Sequence, residues 1–182
     1  MPTPTLTTDR LLLKPLVAED AKQIQTLYSR WEIVRYMVAS VPWPYPENGA
    51  ENYVNNVALP DMASGIAWFW TIRNREIPDK VMGLICLYDE EDNNRGFWLA
   101  PEYQGQGYMR EASIAATDYW FNVLNKPVLC APKAALNSRS QRISVTSGMR
   151  LIKTVKKEYV SGLLDSELWE ITRDEWNARK FQ

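Results

Sequence analysis

The 182-residue sequence contains no histidine. This absence excludes catalytic triads and dyads that use histidine as the base, and it excludes zinc motifs with histidine ligands. The two cysteines, Cys86 and Cys130, lie in apolar, strand-like runs, where cysteine ordinarily behaves as a small hydrophobic residue. We therefore expect no metal site, and chemistry that relies on carboxylates, hydroxyls, main-chain N–H groups or a bound cofactor.

Long apolar runs are absent as well. The first residues, MPTPTLTTDR, contain no apolar segment of the signal-peptide kind, and no run reaches the length needed to cross a bilayer. We therefore expect a cytoplasmic protein with no membrane partner. With 46% hydrophobic and 12% aromatic residues, the chain can bury one good core, which predicts a single domain over residues 1–182.

Acidic residues are missing from one long stretch of the chain. Between Tyr119 and Glu158 the sequence carries eight lysines and arginines, although the net charge of the whole chain is −1. Such a one-sided basic segment favours a polyanionic ligand, and nucleic acid is an obvious competitor. A solvated basic face is the alternative explanation.

Hydrophobic periodicity predicts alternating strands and helices. The expected strands are 10–16, 66–73, 80–88, 95–100, 126–132, 150–160 and 166–172, and the expected helical segments are 18–31, 50–57, 110–123, 137–147 and 173–180. No linker or repeat interrupts this order, which predicts one α/β domain with a mixed, largely antiparallel sheet. Trp68 and Trp70 share one face of a predicted strand and are expected in the core.

The segment PEYQGQGYMREA, residues 101–112, places two glycines directly before a predicted helix. Bare main chain beside the positive end of a helix dipole suits an anion, although a tight turn would use glycines in the same way. The spacing argues against a dinucleotide-binding fingerprint, because Arg110 occupies the position of its third glycine. No Walker A string occurs, which argues against ATP hydrolysis.

Three strings together resemble a known family. LTTDRLLLKPLVAEDA (6–21), FWLAPEYQGQGYMREA (97–112) and NSRSQRISVTSGM (137–149) are similar to the GCN5-related N-acetyltransferases, and specifically to the branch that acetylates ribosomal-protein N-termini. The resemblance implies a sheet whose two central strands, 95–100 and 126–132, splay apart. It also implies acetyl-CoA as co-substrate, with no metal and no nucleic acid, and a protein that acts as a monomer or homodimer.

The same resemblance assigns residues to the site. Leu99 would contribute a main-chain N–H to the oxyanion, Ser140 would protonate the departing thiolate, and Trp43 and Tyr45 would lie in the loop that shapes the acceptor site. The residues expected to bind coenzyme A are Leu99, Gln104, Gly105, Gln106, Gly107, Tyr108, Met109, Asn137, Arg139 and Ser140.

The sequence departs from the family pattern at several positions. Met109 stands where glycine or alanine is usual, and Ser144 stands where many members have a tyrosine acid. Asn94 and Arg95 occupy the strand start that often carries a glutamate base. The remaining carboxylates near the motif, which could substitute only weakly, are Glu102, Asp89 and Glu90.

A site without a strong base favours an acceptor that is already partly neutral. An α-amine is about 10% neutral at pH 7, whereas a lysine-type amine is below about 0.1% neutral. The sequence therefore predicts an N-acetyltransferase for the α-amine of a peptide or protein N-terminus. Acetylation of a small amine or antibiotic is the enzymatic alternative, and a non-catalytic acyl-CoA-binding regulatory module is the alternative from another class.

Overall fold

The computed structural model describes residues 2–179, which form two antiparallel sheets flanked by helices. The first sheet has the spatial order β1-β2-β3-β4-β5 and the second has the order β6-β8-β7. The strands are β1 (Leu6–Thr7), β2 (Leu11–Pro15), β3 (Ala67–Asn74), β4 (Gly83–Tyr88), β5 (Arg95–Leu99), β6 (Val128–Ala134), β7 (Arg150–Tyr159) and β8 (Gly162–Thr172). The prediction of a largely antiparallel α/β fold flanked by helices is confirmed.

The helices cover both faces of the first sheet. They are α1 (Ala21–Tyr28), α2 (Trp31–Val34), α3 (Gly49–Tyr53), α4 (Leu59–Ser64), α5 (Tyr108–Asp118), α6 (Ser138–Thr146) and α7 (Arg173–Ala178). A π-helical turn, Val54–Ala58, joins α3 to α4, and another, Tyr119–Val123, extends α5.

Two helix predictions need correction. The helix predicted over 18–31 is instead a short 3-10 turn followed by α1, and it breaks at Ser29, whose hydroxyl donates to the carbonyl of Gln25. The prediction over 50–57 was too short, because the helical run continues to Ser64. Of the helical tail predicted over 173–180, α7 ends at Ala178 and Lys180 lies outside the described residues.

Two apolar clusters form the core, one on each face of the first sheet. Trp68 and Trp70 of β3 pack on the face covered by α5, as the sequence predicted for these tryptophans. The intervening Phe69 packs on the opposite face with residues of α1 and α3. Alternation along the strand thus serves both clusters, which explains why β3 is buried along nearly its whole length.

Asn94, the residue before β5, joins the two sheets. Its main-chain N–H donates to the carbonyl of Cys130 in β6 over 2.7 Å, and its side-chain oxygen accepts from the N–H of Cys130 over 2.7 Å. Its side-chain NH2 donates to the carbonyls of Tyr88 and Glu90. Beyond Asn94, β5 remains paired with β4 while β6 pairs with β8, so the two strands part.

The register between β4 and β5 decides what the main chain of β5 presents to the gap. Ala100 donates its N–H to the carbonyl of Met82, so Gly83 and Leu99 face each other as a non-hydrogen-bonded pair. The N–H of Leu99 therefore points away from β4. By the alternation of the ladder, the N–H of Phe97 does the same, and both face the gap between β5 and β6.

The hydrogen bonds at Asn94 yield a testable prediction for stability. Asn94→Ala should lower the free energy of unfolding by about 1–3 kcal/mol, because it leaves the buried N–H of Cys130 without its acceptor. Urea denaturation measures the change. Asn93→Ala is the matched control, since Asn93 bonds Glu90 at the surface; equal losses in the two variants would contradict the role of Asn94.

Candidate active site

A glycine-rich turn connects β5 to α5. Gly105 and Gly107 have φ values of +78° and +81°, a region that favours glycine, and Gly107 is the N-cap of α5. The first N–H groups of α5 have no acceptor within the helix, and a glycine N-cap has no side chain to supply one. Bare N–H groups at the positive end of an 11-residue helix suit an anion such as the diphosphate of coenzyme A.

A cavity of about 810 Å³ opens beside this turn. Its walls come from the end of β5, the glycine turn, the start of α5, α6 and the chain around α2, residues 32–37. It is lined by nine of the ten residues expected to bind coenzyme A: Leu99, Gln104, Gly105, Gly107, Tyr108, Met109, Asn137, Arg139 and Ser140. The structure thus brings together two sequence motifs that are separated by about 30 residues of chain.

The two glutamines of the turn stabilise the turn itself. Gln104 donates its side-chain NH2 to the carbonyl of Leu99 over 2.7 Å, and Gln106 donates to the carbonyl of Glu102 over 3.3 Å. Gln106 is absent from the described residues that line the cavity. Met109, the departure from the family pattern, packs partly buried against the first core cluster.

Ser140 lies in the first turn of α6 and its main chain is held at both ends. Its N–H donates to the side-chain oxygen of Asn137 over 3.3 Å, so Asn137 caps the helix as predicted. Its carbonyl accepts from Nζ of Lys133 over 3.1 Å. Ser140 also lines the cavity and is 9% exposed, so most of this residue is withdrawn from solvent.

Ser144 has a different environment from Ser140. It is fully buried, and its hydroxyl bonds Nζ of Lys133, a strand residue whose side chain is itself buried. Burial, together with the nearby positive charge of Arg95, lowers the pKa of Lys133 well below its ordinary value. Ser144 therefore serves as the polar partner of a buried lysine and stands behind the cavity wall.

Neither aromatic residue predicted to bind the acceptor lines the cavity. Tyr45 lies edge-on to Tyr28 with ring centroids 5.1 Å apart, and it packs against the second core cluster. Burial raises the pKa of Tyr45, as expected for a phenol in apolar surroundings. Trp43 is 41% exposed and lies 5.4 Å from the ring of Trp31. Their part in acceptor binding stays a prediction.

The α2 segment, residues 30–38, forms the wall that sequence reasoning missed. Arg30 pairs with Glu102 over 2.6 Å at the end of the segment near β5. At the other end, Val38 forms an isolated bridge with Tyr159, and the N–H of Val160 donates to the carbonyl of Met37. The segment therefore spans the open side of the gap from the first sheet to the second.

The side chains of the α2 segment that line the cavity are mostly polar or charged. Glu32, Ile33, Arg35, Tyr36 and Met37 line it, and the guanidinium of Arg35 lies 4.6 Å from the ring centre of Tyr36. No motif marks this four-residue helix in the sequence. The proline cluster that follows it was the only local signal that the chain changes course here.

The three carboxylates considered as substitute bases are engaged elsewhere. The hydrogen bond from Arg30 is the main cause of the lowered pKa of Glu102, which weakens that carboxylate as a base. Asp89 accepts from Lys126 over 2.7 Å, and Glu90 holds Asn93; both lie near the opposite end of β5. Glu32 is the single carboxylate among the described residues that line the cavity.

Two other kinds of feature are absent from residues 2–179. No group of three or more cysteine, aspartate or glutamate side chains there is arranged to hold a metal ion. No helix in this part of the chain has the length and apolar character required to cross a membrane.

Comparison with known proteins shows what the chain is similar to. A family model described as an acetyltransferase (GNAT) domain matches residues 10–150. The uncharacterized N-acetyltransferase YnaD of Bacillus subtilis (strain 168) is 27% identical over 180 residues, which cover 94% of this chain and 99% of YnaD.

Two solved structures share the fold. The ribosomal-protein-S5-alanine acetyltransferase from Vibrio fischeri matches with a TM-score of 0.80 at 17% identity, covering 95% of this chain and 98% of that one. The spermidine N-acetyltransferase from Vibrio cholerae, in complex with CoA and spermine, matches with a TM-score of 0.77 at 18% identity, covering 93% of this chain and 99% of that one.

The glycine turn yields a prediction for coenzyme A binding. Gly107→Val should weaken coenzyme A affinity at least about tenfold, because a side chain is strained at this positive φ and its Cβ would lie 3.3 Å from Nη2 of Arg10, so the turn must shift. Isothermal calorimetry measures the affinity. Gly65→Val is the matched control, since Gly65 has a φ of +72° at the end of α4 and does not line the cavity. Equal affinity in a folded Gly107→Val variant would remove the diphosphate assignment.

Proposed function

The chain belongs to the acetyltransferase (GNAT) family and is an acetyl-CoA-dependent acetyltransferase, and from this premise we propose that its acceptor is the α-amine of a peptide or protein N-terminus. The proposal rests above all on the charges of the cavity. Among the described residues that line it, Glu32 is the single carboxylate, against the four arginines Arg35, Arg110, Arg139 and Arg142.

This charge balance decides between two kinds of acceptor. Arg110, Arg139 and Arg142 lie on α5 and α6 beside the glycine turn, where the phosphates of coenzyme A would occupy them. Glu32 and Arg35 then remain on the α2 segment, with a net charge near zero. A polyamine needs several carboxylates to balance its charges, whereas a peptide N-terminus brings a single amine that Glu32 can attract.

Known relatives include both kinds of enzyme. The Vibrio fischeri neighbour is named for a ribosomal-protein alanine and the Vibrio cholerae neighbour for spermidine, and their fold similarity to this chain is nearly equal. Fold similarity therefore does not discriminate between the acceptors, and the composition of the cavity carries the choice.

The proposed chemistry uses two groups of this chain at the thioester. A neutral amine attacks the carbonyl carbon, forming the C–N bond as the C–S bond breaks. The main-chain N–H of Leu99, which faces the gap, would donate to the developing oxyanion. The hydroxyl of Ser140 would give its proton to the departing thiolate, and the proton lost by the acceptor nitrogen would restore it through solvent.

The acceptor assignment predicts a rank order of substrates. A peptide with a free N-terminus should show a kcat/KM at least about tenfold higher than spermidine, an aminoglycoside or the same peptide with a blocked N-terminus and a lysine, because an α-amine is more often neutral. Thiol release with acetyl-CoA measures each acceptor. Among peptides whose α-amines differ in pKa, the inflection of log kcat/KM with pH should shift in step with the acceptor.

Two outcomes would contradict this assignment. Preferred turnover of spermidine would move the protein to the small-amine alternative. An inflection at the same pH for every peptide would show that a base on the protein, and not the acceptor amine, sets the pH dependence.

Ser140 supplies a separate prediction for the acid step. Ser140→Ala should lower kcat about 10²-fold while changing coenzyme A affinity by no more than about threefold, because it removes a proton donor and leaves the glycine turn intact. Steady-state kinetics and calorimetry measure the two quantities. Ser144→Ala is the comparison: it should leave kcat within about threefold but lower thermal stability, since buried Lys133 loses its hydroxyl partner. A normal kcat in Ser140→Ala would assign the proton to another donor.

A further inference from the structure

Arg10, at the turn between β1 and β2, contacts the glycine turn although about 100 residues of chain separate them. Its Nη1 donates to the carbonyl of Gln106 over 2.9 Å, and its Nε donates to Oε2 of Glu111 over 2.7 Å. Its main-chain N–H donates to Oε1 of Glu111 over 2.8 Å. Its guanidinium also lies 4.5 Å from the ring centre of Tyr108. The Arg10 side chain thus contacts both the glycine turn and the first turn of α5.

Thr8 completes this arrangement from the same β1–β2 turn. Its hydroxyl donates to Oε1 of Glu111 over 2.5 Å. Burial alone would raise the pKa of Glu111, but the hydrogen bonds from Thr8 and Arg10 outweigh it and hold that pKa below its ordinary value. Glu111 therefore stays ionised near neutral pH, and its charge also suits the first turn of a helix.

The glycine turn gains a restraint from outside itself, in addition to the hydrogen bonds made by Gln104 and Gln106. Gln106 stands between two glycines, and glycine loses more conformational freedom on ordering than any other residue. The N-cap of α5 carries no side-chain hydrogen bond that could fix the helix start. The carbonyl of Gln106 points toward Arg10, and in a trans peptide the N–H of Gly107 then points the opposite way, away from Arg10.

Arg10 acts on the site from behind the turn. It is absent from the described residues that line the cavity, and its Nη2 lies 3.3 Å from the point that a Cβ of Gly107 would occupy. We propose that Arg10 is a positioning residue, which together with Glu111 and Thr8 holds the glycine turn in the conformation that binds the pyrophosphate of coenzyme A. The inference rests on the use of acetyl-CoA by this family.

The experiment compares two acetyl donors on each enzyme variant. Acetyl-CoA carries the pyrophosphate, and acetyl-pantetheine carries the same thioester and arm without it. Arg10→Ala should lower kcat/KM for acetyl-CoA at least about tenfold and leave kcat/KM for acetyl-pantetheine within about threefold. Because the ratio of the two values does not depend on the active fraction, partial unfolding of the variant cannot produce this result. Calorimetry with coenzyme A should show the same tenfold loss without any turnover.

Arg75 provides a matched control. It also binds the β1–β2 turn, because its Nη1 donates to the carbonyls of Thr8 and Asp9 over 3.2 and 3.1 Å. None of its described hydrogen bonds reaches the glycine turn. Arg75→Ala should keep the ratio of the two donors unchanged. Arg10→Lys should recover part of the loss, since an ammonium can pair with Glu111 but cannot also reach Gln106 in the geometry of a guanidinium.

The outcomes separate this inference from the proposed function. If Arg10→Ala binds coenzyme A like the unaltered protein, or loses both donors equally, the positioning role is wrong. If Arg75→Ala changes the ratio as much as Arg10→Ala, the effect belongs to the whole turn and the role of Arg10 is overturned. Failure of the unaltered protein to bind coenzyme A would instead overturn the cofactor site itself, whatever the behaviour of Arg10.

Discussion

The separation of β5 from β6 is the constraint on which the rest of this structure depends. The two strands are held together at Asn94 and Cys130 and then follow different sheets, so the N–H groups of Phe97 and Leu99 are left facing a gap. Main-chain N–H groups that face such a gap need hydrogen-bond acceptors. An elongated ligand with its own amide groups can supply them as an added strand would, and every other part of the site is arranged around that opening.

The charge distribution follows from the same geometry. The acid-free stretch between Tyr119 and Glu158 suggested one basic surface, but the structure divides its charges among three tasks. Arg139 and Arg142 line the cavity, Lys133 is buried behind α6, and the remaining cations of the segment include surface partners of acidic residues. Burial also lowers the pKa of Arg95 to about 10 and lowers the pKa of Lys133 well below its ordinary value. The segment is therefore basic for several unrelated reasons.

The glycines before α5 and the asparagine before α6 could be found in the sequence, because each motif is local. Their assignment to coenzyme A came from the resemblance to the family, and both motifs lie at the cavity. The wall formed by the α2 segment could not be predicted in this way. Contacts between residues distant in sequence, Arg30 with Glu102 and Val38 with Tyr159, hold that segment at the cavity. Tyr45 illustrates the same limit: its ring is packed against Gly49 and the second core cluster, which no loop pattern in the sequence reveals.

The tie between Arg10 and Glu111 has a consequence for the order of synthesis. These residues are 101 positions apart, and the α2 wall is fastened to Val160, so the site gathers contributions from nearly the whole length of the chain. At about 5–20 residues per second, a ribosome has finished β5 several seconds before it completes the second sheet. Throughout that interval the edge of β5 that faces away from β4 lacks the completed second sheet beside it, and an exposed strand edge promotes aggregation. Coenzyme A cannot cover this edge during that interval, because its binding site is complete only after the later strands have been synthesised.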